Sequence, residues 1–377
     1  MSDIVSEETY GFDAIRGIQA GRQFYVAMCP LKIIPKLFIF NDFDIPAELR
    51  AQRTLRESRI TPLKNYILNN PKDYTFSSLT ASVDGIMKFI PAASLGEHGK
   101  LGRLYINMDS TLLINDGQHR RRAIEEALKE RPTLGHEMIS VVFFQDHGLK
   151  RSQQMFADLN QNAIKPTKSL NILYDNRDEF KKFIVSLVIV VDPKKSTDDI
   201  PIKKTTVDIF EGRTELEKTA ISNRSTNFFT LNGISEATIQ LLKLKTKTVS
   251  PEKKQLVRDY WNEVAKNIPE WQLLKDGQIT SHELRKNYVH SHTNILNSLG
   301  MVGNVLTTHF PEDWKEKLQA LLKIEWERNN PLWDGSIVLD GKMIKTQSGI
   351  KKAANIILQK CGINKSIDDF NEIKSKS

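Results

Sequence analysis

The sequence predicts an α+β protein with a sheet in its first half and a mainly helical second half. Before about residue 145, β-branched and aromatic residues cluster in short segments, a composition typical of strands. Beyond residue 250, apolar residues recur at helical spacing. The chain has 377 residues, which is more than one hydrophobic core usually serves. We therefore predict an N-terminal domain over residues 1–190 and a second, helical domain over residues 191–377.

The strands of the first half are predicted from runs of β-branched and aromatic residues bounded by turn residues. In chain order they are residues 21–31, 33–40, 76–79, 86–90, 105–108, 111–114 and 138–144. The dipeptide Asp84-Gly85 is of the kind that joins two strands in a hairpin.

Helices are predicted from start signals and from apolar spacing. Thr61 and Pro62 form a cap and first-turn pair ahead of one helix, and further helices are expected over about 117–129 and 153–159. A change to Pro, Lys, Ser and Asp predicts a linker at 192–204. Beyond it, Ser250-Pro251 begins a helix with an apolar stripe, and residues 349–360 have the same character. All five tryptophans lie in this half and are expected to be core residues.

The charge of the chain favours acidic partners without requiring them. The formal net charge is +8 and the pI is about 9.2, which suits nucleic acid but equally suits a basic protein that binds none. A basic stretch at residues 243–254 is either a nonspecific phosphate contact or a solvated loop.

Cysteine content and hydropathy limit the compartment and the metal chemistry. Only Cys29 and Cys361 occur, so neither a disulfide framework nor an all-cysteine zinc or iron–sulfur site can form within one chain. His290 and His292 lack a further ligand at an obvious spacing, and we expect no metal. The N-terminus has no apolar signal core, and the longest apolar run, at 183–191, is too short to span a bilayer. We predict a cytoplasmic protein that does not insert in a membrane.

The residues most informative about function are 112–128, where a strand, a tight turn and a helix follow one another. Asn115 or Asp116 can cap the helix, and Gly117 lets a ligand approach the backbone. Apolar residues at 123, 124, 127 and 128 would pack the helix on the sheet. This pattern predicts a helix start that binds an anion.

The order of charges along this helix is unfavourable by itself. Arg120, Arg121 and Arg122 stand near the positive end of the helix dipole, and Glu125 and Glu126 follow. Each misplaced charge costs roughly 0.3–1 kcal/mol, whereas an Arg–Glu pair four residues apart returns only about 0.2–0.5 kcal/mol. A bound phosphate would compensate, because amides, dipole and guanidinium groups converge there. The alternative is a solvated arginine face.

Two segments resemble the signatures of a known family. The pentapeptide at residues 116–120, Asp-Gly-Gln-His-Arg, is the name-giving motif of the DGQHR family, and residues 156–166 resemble its second signature. Gln52, Arg53 and Arg59 resemble its first block, and residues 326–334 and 341–344 resemble the C-terminal part of members associated with DNA sulfur modification. The resemblance thus covers nearly the whole chain. The family in turn resembles the ParB/sulfiredoxin fold, which implies a ParB/sulfiredoxin-like domain over residues 1–190.

The resemblance implies a DNA-binding transcriptional regulator associated with a DNA phosphorothioate modification system. The implied partners are DNA, other proteins of that system and a second copy of the chain. The residues implied to bind phosphate, nucleotide or DNA are Arg53, Arg59, Asn115, Asp116, Gly117, Gln118, His119, Arg120, Arg121, Arg122, Asn160 and Lys165.

Other functions remain open at the level of sequence. In an enzyme that hydrolyses a nucleoside triphosphate or nicks DNA, Asp116 and His119 would be catalytic, and ATP or another nucleoside triphosphate with Mg²⁺ would be the cofactor. The regulator needs neither turnover nor cofactor. A third alternative is an adaptor that binds no nucleic acid. Cys29 is either a sensor of sulfur or redox state or a buried apolar residue of a strand.

Overall fold

The structure is a computed structural model that describes residues 9–38, 57–92, 99–147, 151–161, 166–189, 206–222, 224–244 and 248–375. Within it the chain divides into two compact units, Met1–Ile164 and Lys165–Ser377. The first contains a seven-stranded sheet and the second is mainly helical. The α+β prediction is confirmed.

A mixed sheet forms the first unit. Its strands are β1 (Thr9–Gln19), β2 (Arg22–Pro30), β3 (Leu79–Asp84), β4 (Met87–Pro91), β5 (Leu101–Asn107), β6 (Thr111–Asp116) and β7 (Met138–Gln145). Their order across the sheet is β4-β5-β1-β2-β7-β3-β6. Neighbours are antiparallel except β3 and β7, which are parallel. The dipeptide Asp84-Gly85 therefore does not join a hairpin, because β3 and β4 lie apart in this order.

The alternation of side chains decides which face of the sheet is core. In β2, Ala27 and Cys29 are fully buried, while Met28 between them is 48% exposed. Ala20 and Gly21 both have positive φ and form the two-residue turn from β1 to β2, a geometry that matches the twist of paired strands.

The helices of this unit are α1 (Ile34–Leu37), α2 (Glu57–Asn69), α3 (Gln118–Glu130) and α4 (Ser152–Gln161). Ala123, Ile124 and Ala127 of α3 are buried in the same core as the sheet, as their spacing predicts. The predicted strand at 33–40 is wrong where the chain is described, since α1 occupies it. Pro35 stands in the first turn of this helix, a position that proline favours and where it would interrupt a strand ladder.

The second unit is built from helices and four two-residue strands. Its elements are α5 (Lys168–Leu173), α6 (Glu179–Val188), β8 (Thr214–Glu215), β9 (Phe229–Thr230), α7 (Leu231–Leu242), α8 (Pro251–Lys266), α9 (Pro269–Lys275), α10 (Ser281–Asn287), α11 (Thr293–His309), α12 (Trp314–Leu318), β10 (Val338–Leu339), β11 (Lys342–Met343), α13 (Gln347–Lys360) and α14 (Ile367–Ser375). The strands form two pairs, β8 with β9 and β10 with β11. All five tryptophans are buried in its core, as predicted.

The unit boundary differs from the predicted domain boundary at residue 190. Phe180, Phe183 and Leu187 of α6 are buried in the core of the second unit, which therefore begins before residue 190. The predicted linker at 192–204 lies outside the described residues. No helix in the described parts of the chain is long and apolar enough to cross a bilayer.

Helices α7 and α11 run side by side in the same direction. A Cβ added at Gly233 would lie 3.0 Å from Oγ1 of Thr293, and one added at Gly300 would lie 2.2 Å from the carbonyl oxygen of Ala237. Further along, Nδ2 of Asn304 donates to the Leu241 carbonyl at 2.8 Å. Because contacts advance together along both helices, the two N-termini lie at the same end.

Candidate functional site

The DGQHR motif forms the turn between β6 and α3. Gly117 has φ of 107° and ψ of 15° and is the residue that precedes the first turn of α3. A Cβ at this position would lie 2.3 Å from Cδ2 of Leu79. The turn therefore requires glycine for both its backbone angle and its space. The prediction that Asn115 or Asp116 caps the helix is wrong, since the cap is Gly117 and no side chain caps α3.

Asn115 instead points into the interior of the unit, which explains why it does not cap. Its side chain accepts a hydrogen bond from Ser82 Oγ at 3.0 Å and donates to the hydroxyl and carbonyl oxygens of Ser152 at 2.7 and 3.1 Å. Asn115 is 1% exposed. One buried amide thus links β6 to β3 and to the start of α4.

Arg120 ties the turn to the chain that leads into β3. Its Nη2 lies 2.5 Å from Oδ2 of Asp116, and its Nη1 donates to the Ser78 carbonyl at 2.9 Å and to both the carbonyl and the hydroxyl of Ser77. The Arg120 side chain is 14% exposed. This guanidinium therefore stands at the edge of the turn in a fixed position.

The next two arginines differ in exposure. Arg121 is buried, and its guanidinium donates to Glu125 at 2.7 Å and to the Pro35 carbonyl at 3.0 Å. Burial lowers the pKa of Arg121, against the opposing effect of Glu125. Arg122 is 34% exposed and pairs with Glu125 at 2.7 Å and Glu126 at 3.0 Å. The contacts of Arg121 are therefore structural, whereas Arg122 is the most exposed of the three arginines of the motif helix.

These contacts account for the charge order that the sequence left unexplained. In residues 116–130 the basic side chains are Arg120, Arg121, Arg122 and Lys129, and the acidic ones are Asp116, Glu125, Glu126 and Glu130. All of them take part in ion pairs. The segment has no formal net charge when His119 is neutral, so the arginines need no bound anion for folding.

The remaining predicted residues take different positions. Gln118 is buried, with Nε2 donating to the Ile114 carbonyl at 3.2 Å, and His119 is half-buried. Arg59 is exposed on α2, whose Lys64 pairs with Glu130 at the far end of α3. Asn160 belongs to α4, and nothing is described of its side chain. Arg53 and Lys165 lie outside the described residues.

The Cys29 thiol lies in the core of the first unit. It is fully buried in β2, and burial raises its pKa to about 12. A thiolate is the reactive form of cysteine, so this environment favours the second sequence interpretation, a buried apolar residue. Among the described residues, no group of three or more His, Cys, Asp or Glu could hold a metal ion.

Sequence reasoning missed the residues that position the motif. Ser77, Ser78, Ser82 and Ser152 contact Arg120 or Asn115, yet they stand 33 to 43 residues away in the chain. Nothing in the sequence next to these serines indicates that they contact the motif. Only a spatial model or covariation could have found them.

Fold and turn together define an α+β protein whose arginine-bearing strand–turn–helix is built into the core of its sheet unit. A model of the DndB family, described as DNA-sulfur modification-associated, matches residues 12–364. The chain therefore belongs to the DndB family and is associated with DNA sulfur modification. Comparisons with curated proteins and with solved structures find no match. The resemblance to ParB and sulfiredoxin stays a prediction.

Proposed function

We propose that this protein is a DNA-binding transcriptional regulator of a DNA sulfur-modification system, and that the turn at residues 116–122 contacts DNA phosphates. Its family membership supports the association with sulfur modification. The formal charge of +8 supports a polyanionic partner. Other proteins of the same system are its expected protein partners, and the function needs neither turnover nor a cofactor.

The start of α3 is the observation that carries this proposal. The helix begins at a left-handed glycine without a side-chain cap, so its first amides and the positive end of its dipole are directed away from the helix at the turn. Such helix starts suit phosphate oxygens. Gly117, His119, Arg120 and Arg122 are the proposed contact residues.

Arg122 is the guanidinium best able to turn toward DNA. Its pairs with Glu125 and Glu126 are partly exposed, and exposed pairs contribute only about 0–1 kcal/mol. A phosphate can therefore replace them at little cost. Asn115, Gln118 and Arg121 are buried, and we assign them to positioning the turn.

The test compares two cations on the same helix. Arg122 Nη2 and Lys129 Nζ both pair with Glu126, at 3.0 and 2.8 Å, but only Arg122 lies in the first turns of α3. We expect Arg122→Gln to weaken binding of duplex DNA about tenfold and to reduce the slope of log K against log salt by about 1. Lys129→Gln, with the same loss of charge, should change neither.

Gel-shift titrations at two or more salt concentrations measure both quantities. Equal effects of the two substitutions would show that only total charge matters and would remove the turn from the DNA surface. Absence of salt-sensitive binding by the wild-type chain would reject the DNA-binding function itself.

A further inference from the structure

A cavity of about 570 Å³ in the second unit has three cationic side chains in its wall. Arg285, Lys286 and Arg328 line it, together with His282 and His292, and the described lining residues include no Asp or Glu. Its volume lies within the range of small-molecule sites, roughly 300–1,000 Å³. The cavity therefore combines room for a ligand with uncompensated positive charge.

Two helix N-termini meet at this cavity. Thr230, which caps α7, lines the wall of the cavity. His292, at the N-cap position of α11, and Thr293, the first residue of this 17-residue helix, line the wall as well. No side chain caps α11. Because α7 and α11 run in parallel, their dipoles both add positive potential at the same end.

The arginines are fixed by neutral partners rather than by carboxylates. Arg285 donates to the carbonyl oxygens of Asn227, Ser222 and Ser225, the last two at 3.2 and 3.0 Å. These bonds hold the guanidinium in place and leave its charge uncancelled.

Arg328 is also held without an acidic partner. Its Nη2 contacts Nε2 of His292 at 2.7 Å and donates to the Arg285 carbonyl, and its Nε is buried without a hydrogen-bond partner among the described atoms. Glu283 of α10 accepts from the amide and hydroxyl of Thr280 at 2.8 and 2.7 Å, and among the described residues it forms no ion pair with Arg285 or Arg328.

The electrostatic environment of His292 agrees with this description. Its pKa is lowered to about 4, first by burial and next by the positive charge of Arg328. His292 is therefore neutral near pH 7, and its Nε2 can accept a hydrogen bond from Arg328.

We propose that this cavity is a phosphate-binding site, which takes the phosphate group of a nucleotide or of a nucleic-acid backbone. Guanidinium groups and helix N-termini approaching from several sides suit a tetrahedral anion with several acceptor oxygens. The volume leaves space for the group that the phosphate carries. This site goes beyond the function proposed above, because it uses no residue of the turn at α3.

The first experiment uses inorganic phosphate as the probe and the full chain as the sample. Because all five tryptophans belong to the second unit, melting followed by their fluorescence reports on that unit. Compared with chloride at equal ionic strength, phosphate should raise the melting temperature of the wild type, and the rise should follow the logarithm of the phosphate concentration above the dissociation constant. A rise that increases in proportion to the phosphate concentration and is equal in every variant would be the general effect of a kosmotropic salt and would overturn the proposal.

Thr293→Asp is the sharpest variant. It places a carboxylate on the first residue of α11, where a negative charge favours the helix, so the fold should be kept and the melting temperature in chloride should not fall. The logarithmic rise of the melting temperature with phosphate concentration should be lost.

Lys286→Gln removes an exposed cation from the cavity wall and should raise the dissociation constant on the order of tenfold. The matched control, Lys323→Gln, removes the charge of an exposed lysine that does not line the cavity. It should leave the dissociation constant unchanged. A phosphate response that survives Thr293→Asp, or one that Lys286→Gln and Lys323→Gln alter equally, would reject the site.

A second set of titrations identifies the source of the phosphate. Calorimetry with a deoxynucleoside monophosphate should give tighter binding than inorganic phosphate if the ligand is a free nucleotide. If the ligand is a nucleic-acid backbone, Thr293→Asp should weaken binding of a short duplex. If inorganic phosphate binds but neither the nucleotide nor the duplex binds at this site, the proposed ligand class is rejected. Arg122→Gln affects only the function proposed above, so the two proposals fail separately.

Discussion

The glycine of the DGQHR motif meets two demands at one residue. Gly117 has a φ of 107°, and its missing Cβ leaves space for Leu79 Cδ2, which would otherwise lie 2.3 Å away. We expect Gly117→Ala to destabilise the first unit by about 2–4 kcal/mol, from backbone strain together with overpacking. Gly21→Ala is the matched control, since Gly21 has a φ of 72° and nothing within 4 Å of its added Cβ. It should cost only about 1 kcal/mol.

Labelling of the Cys29 thiol measures this difference. Cys29 is fully buried in the first unit, so in a Cys361→Ala background its reaction with a thiol reagent, followed against urea concentration, reports the opening of that unit. If the two alanine variants have equal midpoints, Leu79 is not a steric constraint on the turn.

Single residues of the motif could be predicted from the sequence to different degrees. The sequence singled out Gly117 for the approach of a ligand to the backbone, whereas the structure shows that glycine is needed for the positive φ of the turn and for the space that Leu79 occupies. The role of Asn115 does not follow, because a capping residue and a buried amide have the same local sequence. Its partners Ser82 and Ser152 are 33 and 37 residues distant.

At the scale of elements, Asn115 connects α4 to the sheet. Asn115→Ala would leave the buried hydroxyls of Ser82 and Ser152 without this partner, at a cost of about 2–3 kcal/mol. Hydrogen exchange of the α4 amides should become faster, while that of α3 changes less. Asn107→Ala, which removes the exposed bond from the Asp109 amide at 2.7 Å, should leave α4 unaffected. Unchanged exchange in α4 after Asn115→Ala would contradict its role as a connector.

Helix packing in the second unit shows where prediction from sequence reaches its limit. The start of α8 at Pro251 and the extent of α13 were foreseen, because caps and apolar spacing are local signals. The parallel pair of α7 and α11 was not. Gly300 and Gly303 weaken helical propensity, and only the packed structure shows that they allow close contact with Ala237 and Leu241.

For the molecule as a whole, two buried histidines predict how stability depends on pH. Burial lowers the pKa of His290, against the opposing effect of Glu270, and lowers the pKa of His292 to about 4. An unfolded histidine titrates near 6.5. Both side chains are therefore neutral in the folded state near pH 7 and take up a proton on unfolding at lower pH. Their stabilising contribution is present above about pH 6.5 and is lost as the pH falls below it, down to about pH 4 for His292.

The acid side of the stability profile can be measured by urea unfolding followed by tryptophan fluorescence, in buffers without phosphate. Between pH 6 and 5, the protonation of His292 on unfolding should lower the free energy of unfolding by about 1 kcal/mol. His292→Asn places a residue that favours the N-cap position at the start of α11 and should flatten the profile by about that amount. His282→Asn, at an exposed residue of the same cavity, should keep the wild-type slope. Parallel profiles for wild type and His292→Asn would mean that His292 is not held neutral, and the positive environment inferred for the cavity would lose its independent support.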